Sequence, residues 1–268
     1  IDTSAKWLLI AGLPALQVVF ARYAGHLIVS LIVYLPQEGL GGLRSKSPGK
    51  QFLRSVFLLG STILNFLALS YLPITITTTI QFTMPIMVTL LAIPLLGETV
   101  GIRRIIAVCV GFSGVLVVTQ PWSAEWHPAM LLSITSVVVA SLYFVMTRML
   151  AGVESNATQQ LWSSAVSTVI LLPFVIKGWV WPSDAQTWLV FSAIGFFGAT
   201  GHIAATTAHR WADASLLSPM FYTQIVFAAF AGIFIFNTWP TVYTLSGGAI
   251  IISSGLYIWA RERKVKGG

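Results

Sequence analysis

The chain has 268 residues, of which 56% are hydrophobic and 9% charged, and its mean hydropathy is +0.83. A soluble domain carries about 25% charge, so 15 Lys and Arg with 8 Asp and Glu cannot furnish a solvated surface. A disordered chain, a secreted disulfide scaffold and a soluble enzyme are thereby excluded, and the single Cys109 can form no internal disulfide. The net charge of +7 sits between apolar runs rather than on a basic face, so no nucleic-acid partner is expected.

Long stretches lack Asp, Glu, Lys and Arg altogether: Ser55–Gly97 has 43 residues and Ala214–Ala260 has 47. About 20 apolar residues cross the hydrocarbon core of a bilayer. Only helices suit this pattern, because lipid offers the backbone no hydrogen-bond partner and barrel-type alternation is missing. The expected class is therefore an all-α integral membrane protein of ten spans. The first span ends near Ile10, and the second covers Ala15–Pro36. The next three are Phe52–Ser70, Ile74–Leu96 and Ile102–Thr119. The last five are Pro128–Leu150, Thr158–Ile176, Gln186–Ala208, Ser215–Phe236 and Pro240–Ala260. The first is about half a span long, and aligning Lys6 with Arg148 implies that roughly 15–20 residues precede Ile1.

Twelve of the 15 basic residues fall in alternate loops, namely Arg44, Lys46, Lys50 and Arg54; Arg103 and Arg104; Arg148; Arg210; and Arg261, Arg263, Lys264 and Lys266. The positive-inside rule makes that side cytoplasmic, together with both termini, and the bacterial-type inner membrane is the expected location.

The order of spans and loop lengths recurs, dividing the chain into residues 1–126 and 127–268. Five spans per half invert the second half relative to the first, a common construction of secondary transporters, which place the site near the midplane. The chain resembles the drug/metabolite transporter superfamily, in its branch of two EamA-type repeats of five helices. The resemblance rests on Ala5-Lys6-Trp7, Phe20-Ala21-Arg22-Tyr23, Met84-Pro85, Leu95-Leu96-Gly97-Glu98, and the glycines Gly111 and Gly114. The second half has Asn237-Thr238 in place of the Gly-Glu pair. The resemblance implies transport of small organic molecules and leaves the substrate open.

An ionisable group at membrane depth costs at least about 2.5–3.5 kcal/mol on insertion scales, so each needs a partner or a task. Asp2 and Lys6 are four apart on one face and can pair. Arg22, His26 and Ser30 form a second stripe at four-residue spacing. Three readings stand for Arg22: snorkelling outward, a fixed charge facing a substrate carboxylate or phosphate, or a charge balancing a titratable carboxylate. Asp2, His26 and His202 are the candidate proton carriers. His202 shares a stripe with Gly195 and Gly198, small residues that let another helix approach closely. Asn65, Gln81, Tyr143, Trp162, Tyr222 and Gln224 complete the expected polar lining with aromatic walls. Pro85 and Pro219 are candidate hinges. Glu98 reads as a cap of the fifth span near Arg103.

There is no phosphate-binding glycine loop followed by Lys-Ser/Thr, no metal-ligand spacing and no nucleophile elbow, so neither cofactor nor metal is expected. The expectation is a secondary transporter of an amino-acid-like or heteroaromatic metabolite, working by alternating access with proton coupling or exchange. Its partners would be the substrate and membrane lipids, as a monomer or weak homodimer. An intramembrane enzyme acting on a lipid-like substrate, or a passive channel, is the alternative.

Overall fold

The computed structural model describes residues 1–96, 102–124, 126–150, 152–211 and 223–266. The described elements are all helical: α1 Asp2–Ile10, α2 Ala15–Glu38, α3 Pro48–Tyr71, α4 Ile74–Gln81, α5 Met84–Leu96, α6 Ile102–Thr119, α7 Ala129–Leu150, α8 Asn156–Val175, α9 Ala185–Trp211, α10 Gln224–Phe234 and α11 Val242–Lys266. Short 3-10 turns follow α2 at Gly39–Leu43 and α8 at Ile176–Gly178. Seven segments among the described residues are long and apolar enough to cross a membrane. Polarity is reversed relative to a soluble fold. Ile32, Val169 and Leu189 are about 70% exposed, whereas Arg22, His26 and Gln160 are buried.

Several helices depart from the expected spans: α9 runs on to Trp211 and α11 to Lys266, and the third and fourth spans change more than their ends. The third begins at Pro48 rather than Phe52, because proline at the first helical position loses no intrahelical bond. The added turn brings Lys50 and Gln51 into the helix and moves Arg54 from its first turn to its second. The fourth span is broken between α4 and α5 at Phe82-Thr83. Pro85 has no N–H to give the carbonyl of Gln81, so α4 stops there. Phe82 N–H is shared between the carbonyls of Thr78 and Thr79, and Thr83 N–H turns back to Ile80. The Thr83 hydroxyl also donates to Ile80 O at 2.7 Å, before the ladder resumes from Met87 to Thr83. Pro219, Tyr222 and Glu98 lie outside the described residues.

The chain forms two compact units, each drawing helices from both sequence halves. The first comprises 1–70 and 146–208, the second 71–145 and 209–268. In the first, α2 packs along α8, and the 3-10 turn Gly39–Leu43 rests on both. Helices α2 and α9 meet backbone to backbone, since a Cβ on Gly195 would lie 2.5 Å from the Gly25 Cα. Asp184 caps α9, accepting from the Thr187 hydroxyl at 2.7 Å and the Thr187 N–H at 2.8 Å. Those bonds, the hydroxyl first, hold its carboxyl below the ordinary aspartate range. The Gln17 amide pairs with both backbone groups of Val180, donating to O at 2.6 Å and accepting from N at 2.9 Å.

In the second unit α6 runs along α11, and α4 packs against α10. Its crossing also brings two backbones together, flanked by Val118, Ile250 and Ile251: a Cβ on Gly247 would stand 2.7 Å from Gly114 O. Ser254 donates to Ala107 O beside this crossing.

Candidate functional site

The polar interior of the first unit is assembled from α2, α3, α8 and α9. Arg22, His26 and Ser30 share one face of α2 and are 5%, 0% and 0% exposed. The glycine contact explains what they meet. With α9 drawn onto α2 at Gly195 and Gly25, Gly198 lies over the Arg22 side chain, where a Cβ would be 3.4 Å from Arg22 Cγ. One turn further, His202 reaches the guanidinium, with its Nε2 2.9 Å from Arg22 Nη2. Arg22 Nη1 donates to the Thr62 hydroxyl on α3 at 3.1 Å, and its Cζ sits 4.6 Å from the Tyr23 ring centroid. Tyr23 and Thr62 hydroxyls are 2.8 Å apart, and both donate to Leu58 O.

The donors and acceptors fix two opposite histidine tautomers. A guanidinium can only donate, so His202 presents the Nε2 lone pair to Arg22 and its neutral ring carries the proton on Nδ1. Gln160 donates through Nε2 to His202 O at 3.3 Å, which turns its Oε1 toward His26 Nε2 at 3.0 Å. His26 therefore carries its proton on Nε2. The two rings stack at 5.6 Å with an interplanar angle of 10°.

Arg22 is bonded to a hydroxyl, an imidazole and a ring face, and no carboxylate among the described residues touches it. Its Nε, His26 Nδ1, Ser30 Oγ and the Ser167 Oγ on α8 are buried without a hydrogen-bond partner among the described residues. The cluster thus holds an unneutralised cation together with spare donor and acceptor capacity, a surface suited to an anionic or strongly polar guest.

Sequence spacing assigns Arg54 to a basic loop, but the structure buries it at 1% exposure on α3. Its Nε donates to Thr147 Oγ1 at 2.8 Å, and its Nη1 donates to Ser163 Oγ at 2.9 Å, Gln159 O at 3.3 Å and Gln51 Oε1 at 3.4 Å. The available signal was Arg54, Leu58 and Thr62 at four-residue spacing, which aligns it with the partner of Arg22.

The remaining candidates are dispersed. Asn65 donates to Asp2 at 3.3 Å, and Lys6 donates to Leu69 O at 2.6 Å, so the α1 stripe reaches across to α3. Trp162 donates its indole N–H to Leu43 O at 2.9 Å, which ties α8 to the turn after α2. Gln81, Pro85, Tyr143 and Gln224 belong to the second unit. There Gln81 donates to Ser136 at 3.2 Å, and Tyr143 packs edge-on against Phe144 at 5.1 Å. An open groove of about 310 Å³ beside α6 and α11, with Arg103 and Tyr257 on its wall, holds none of these candidates. Among the described residues, no cluster of three or more His, Cys, Asp or Glu could hold a metal.

The EamA-like transporter family profile matches residues 3–120 and 127–260. The chain belongs to this family. An S-adenosylmethionine uptake transporter of Rickettsia prowazekii is 28% identical over 253 residues, covering 94% of this chain and 85% of that protein. A riboflavin transporter of Vibrio cholerae is 28% identical over 258 residues with the same coverage. A pseudopaline exporter of Pseudomonas aeruginosa is 25% identical over 244 residues, covering 90% of this chain and 85% of that protein. A crystal structure at 20% identity superposes with a TM-score of 0.66 over 95% of this chain and 94% of the other, which establishes the shared fold. This EamA-family protein is a multi-pass membrane transporter of small molecules, of the drug/metabolite type, and not an enzyme.

Proposed function

We propose that this EamA-family protein is a secondary active carrier that moves an amino-acid-like or heteroaromatic metabolite by alternating access, coupled to protons or to exchange. The proposal sets it in a bacterial-type inner membrane with the basic loops and both termini in the cytoplasm, following the distribution of Arg and Lys. The supporting observation is Arg22, a buried guanidinium at membrane depth that no described carboxylate neutralises. Such a charge is costly unless a guest uses it. In this reading Arg22 binds an anionic or strongly polar group of the substrate, and His26 supplies the adjoining polar contact.

Relatives named for S-adenosylmethionine and riboflavin supply the first probes. Purified protein in proteoliposomes is expected to take up one of these, or a component of a mixed metabolite pool read by mass spectrometry. The uptake should saturate and show counterflow from preloaded vesicles. Uptake that never saturates, or shows no counterflow, would replace the carrier with a channel.

A further inference from the structure

We propose that an anion at Arg22 and a proton at His202 bind together, each strengthening the other, so that the two travel in the same direction. The inference rests on the proposed carrier reading and adds the sign of the coupling.

The argument starts from the 2.9 Å contact between Arg22 Nη2 and His202 Nε2. Because arginine supplies only donors, this bond exists only while Nε2 is unprotonated. A proton placed on Nε2 removes the acceptor and sets an imidazolium against a guanidinium, two like charges at a part-buried contact. The empty site therefore keeps His202 neutral. A carboxylate or phosphate that engages Arg22 takes over the donor that His202 held, and it leaves the Nε2 lone pair open to a proton. It also brings a negative charge next to the ring, which favours the imidazolium. Both effects have the same sign, so linkage requires that protonation of His202 tighten anion binding equally.

Three neighbouring helices face His202. From α2 it sees Arg22 and the stacked ring of His26; from α3, the charge of Arg54; from α8, Gln160. The two cations act at all times, so what the anion changes is the balance at Nε2. His26 differs, since its open acceptor is Nδ1, which makes no bond to Arg22, so an anion that engages Arg22 opens no new acceptor on that ring.

The test uses the full chain in detergent with ¹⁵N-labelled imidazole, acetate as the minimal carboxylate, and His202→Gln to assign the His202 signals. Without acetate, Nε2 of His202 should give a pyridine-type signal at neutral pH. With acetate at saturation, the imidazolium population of His202 at a fixed pH should rise about tenfold or more, while His26 changes less. Arg22→Gln should abolish the acetate effect, and Arg22→Lys, which keeps the charge, should retain part of it. An Nε2 already protonated in the absence of acetate, or an imidazolium population that acetate leaves unchanged or lowers in the wild-type chain, overturns the proposal. Uptake of S-adenosylmethionine or riboflavin in proteoliposomes is read separately. Linkage without uptake of any probe sinks the carrier reading alone, whereas saturable uptake without linkage sinks this inference alone.

Discussion

The two compact units share one device and differ in what they build around it. Each is closed by a glycine pair that brings two helix backbones into contact, Gly25 with Gly195 in one and Gly114 with Gly247 in the other. In the first unit the close approach delivers His202 to Arg22 and leaves unsatisfied polar atoms on α2 and α8. In the second, the neighbours of the crossing are Val118, Ile250 and Ile251, with Ser254 bonded to a backbone carbonyl. Close packing of small residues is thus a general means of joining membrane helices. Chemistry enters only where a chargeable side chain lies one turn from the contact.

That contrast can be broken by substitution. The largest effect is expected from Arg22→Ala: charge-assisted hydrogen bonds contribute about 1.5–3 kcal/mol, so uptake should fall roughly ten- to a hundredfold or more while the protein stays monodisperse in detergent. Uptake at the wild-type rate would make Arg22 a structural residue. Next come Gly195→Leu and Gly247→Leu. Both force a side chain into opposing backbone and should lower stability by about 3 kcal/mol each. In partly active preparations, only Gly195→Leu should change the substrate concentration dependence. Thr62→Val removes one neutral acceptor of Arg22 and should weaken uptake by about 1 kcal/mol, roughly fivefold, without altering pH dependence.

The smallest effect is expected from Asp184→Ala, which removes the cap of α9 outside the membrane. The folded-state carboxyl titrates below its ordinary range, so its contribution is present above the ordinary aspartate pKa and is lost as pH falls through the lowered value. The melting temperature of Asp184→Ala should therefore trail the wild type at neutral pH, with the gap closing in acid. A gap that widens in acid would contradict the capping role.

Helix count, the glycine stripe ending at His202 and the Arg22–His26–Ser30 face were legible from spacing, because periodicity reports which residues share a face. Spacing within one helix says nothing of the opposing helix, so the joining of Arg22 to His202 and of His26 to Gln160 appears only in the fold. Arg54 was hidden by a different cause. Counting charges at span ends treats a basic residue there as solvated, whereas Arg54 stands in the second turn of α3 and is held in the interior by Thr147, Gln159 and Ser163. Trp162 shows the converse: an aromatic among polar neighbours reads as cavity wall, yet its N–H satisfies Leu43 O in a turn.

The Gly25–Gly195 contact also acts as a fulcrum. Arg22 lies three residues from it along α2, about 4.5 Å of helix, whereas Glu38 lies 13 residues away, about 20 Å. A tilt of α2 by ~10° about that point would displace Glu38 by roughly 3.4 Å and Arg22 by less than ~1 Å. Spin labels at the two ends of α2, read against α9, would reveal such a lever by unequal distance changes. The end of the helix can swing while the guanidinium and its imidazole partner stay in register.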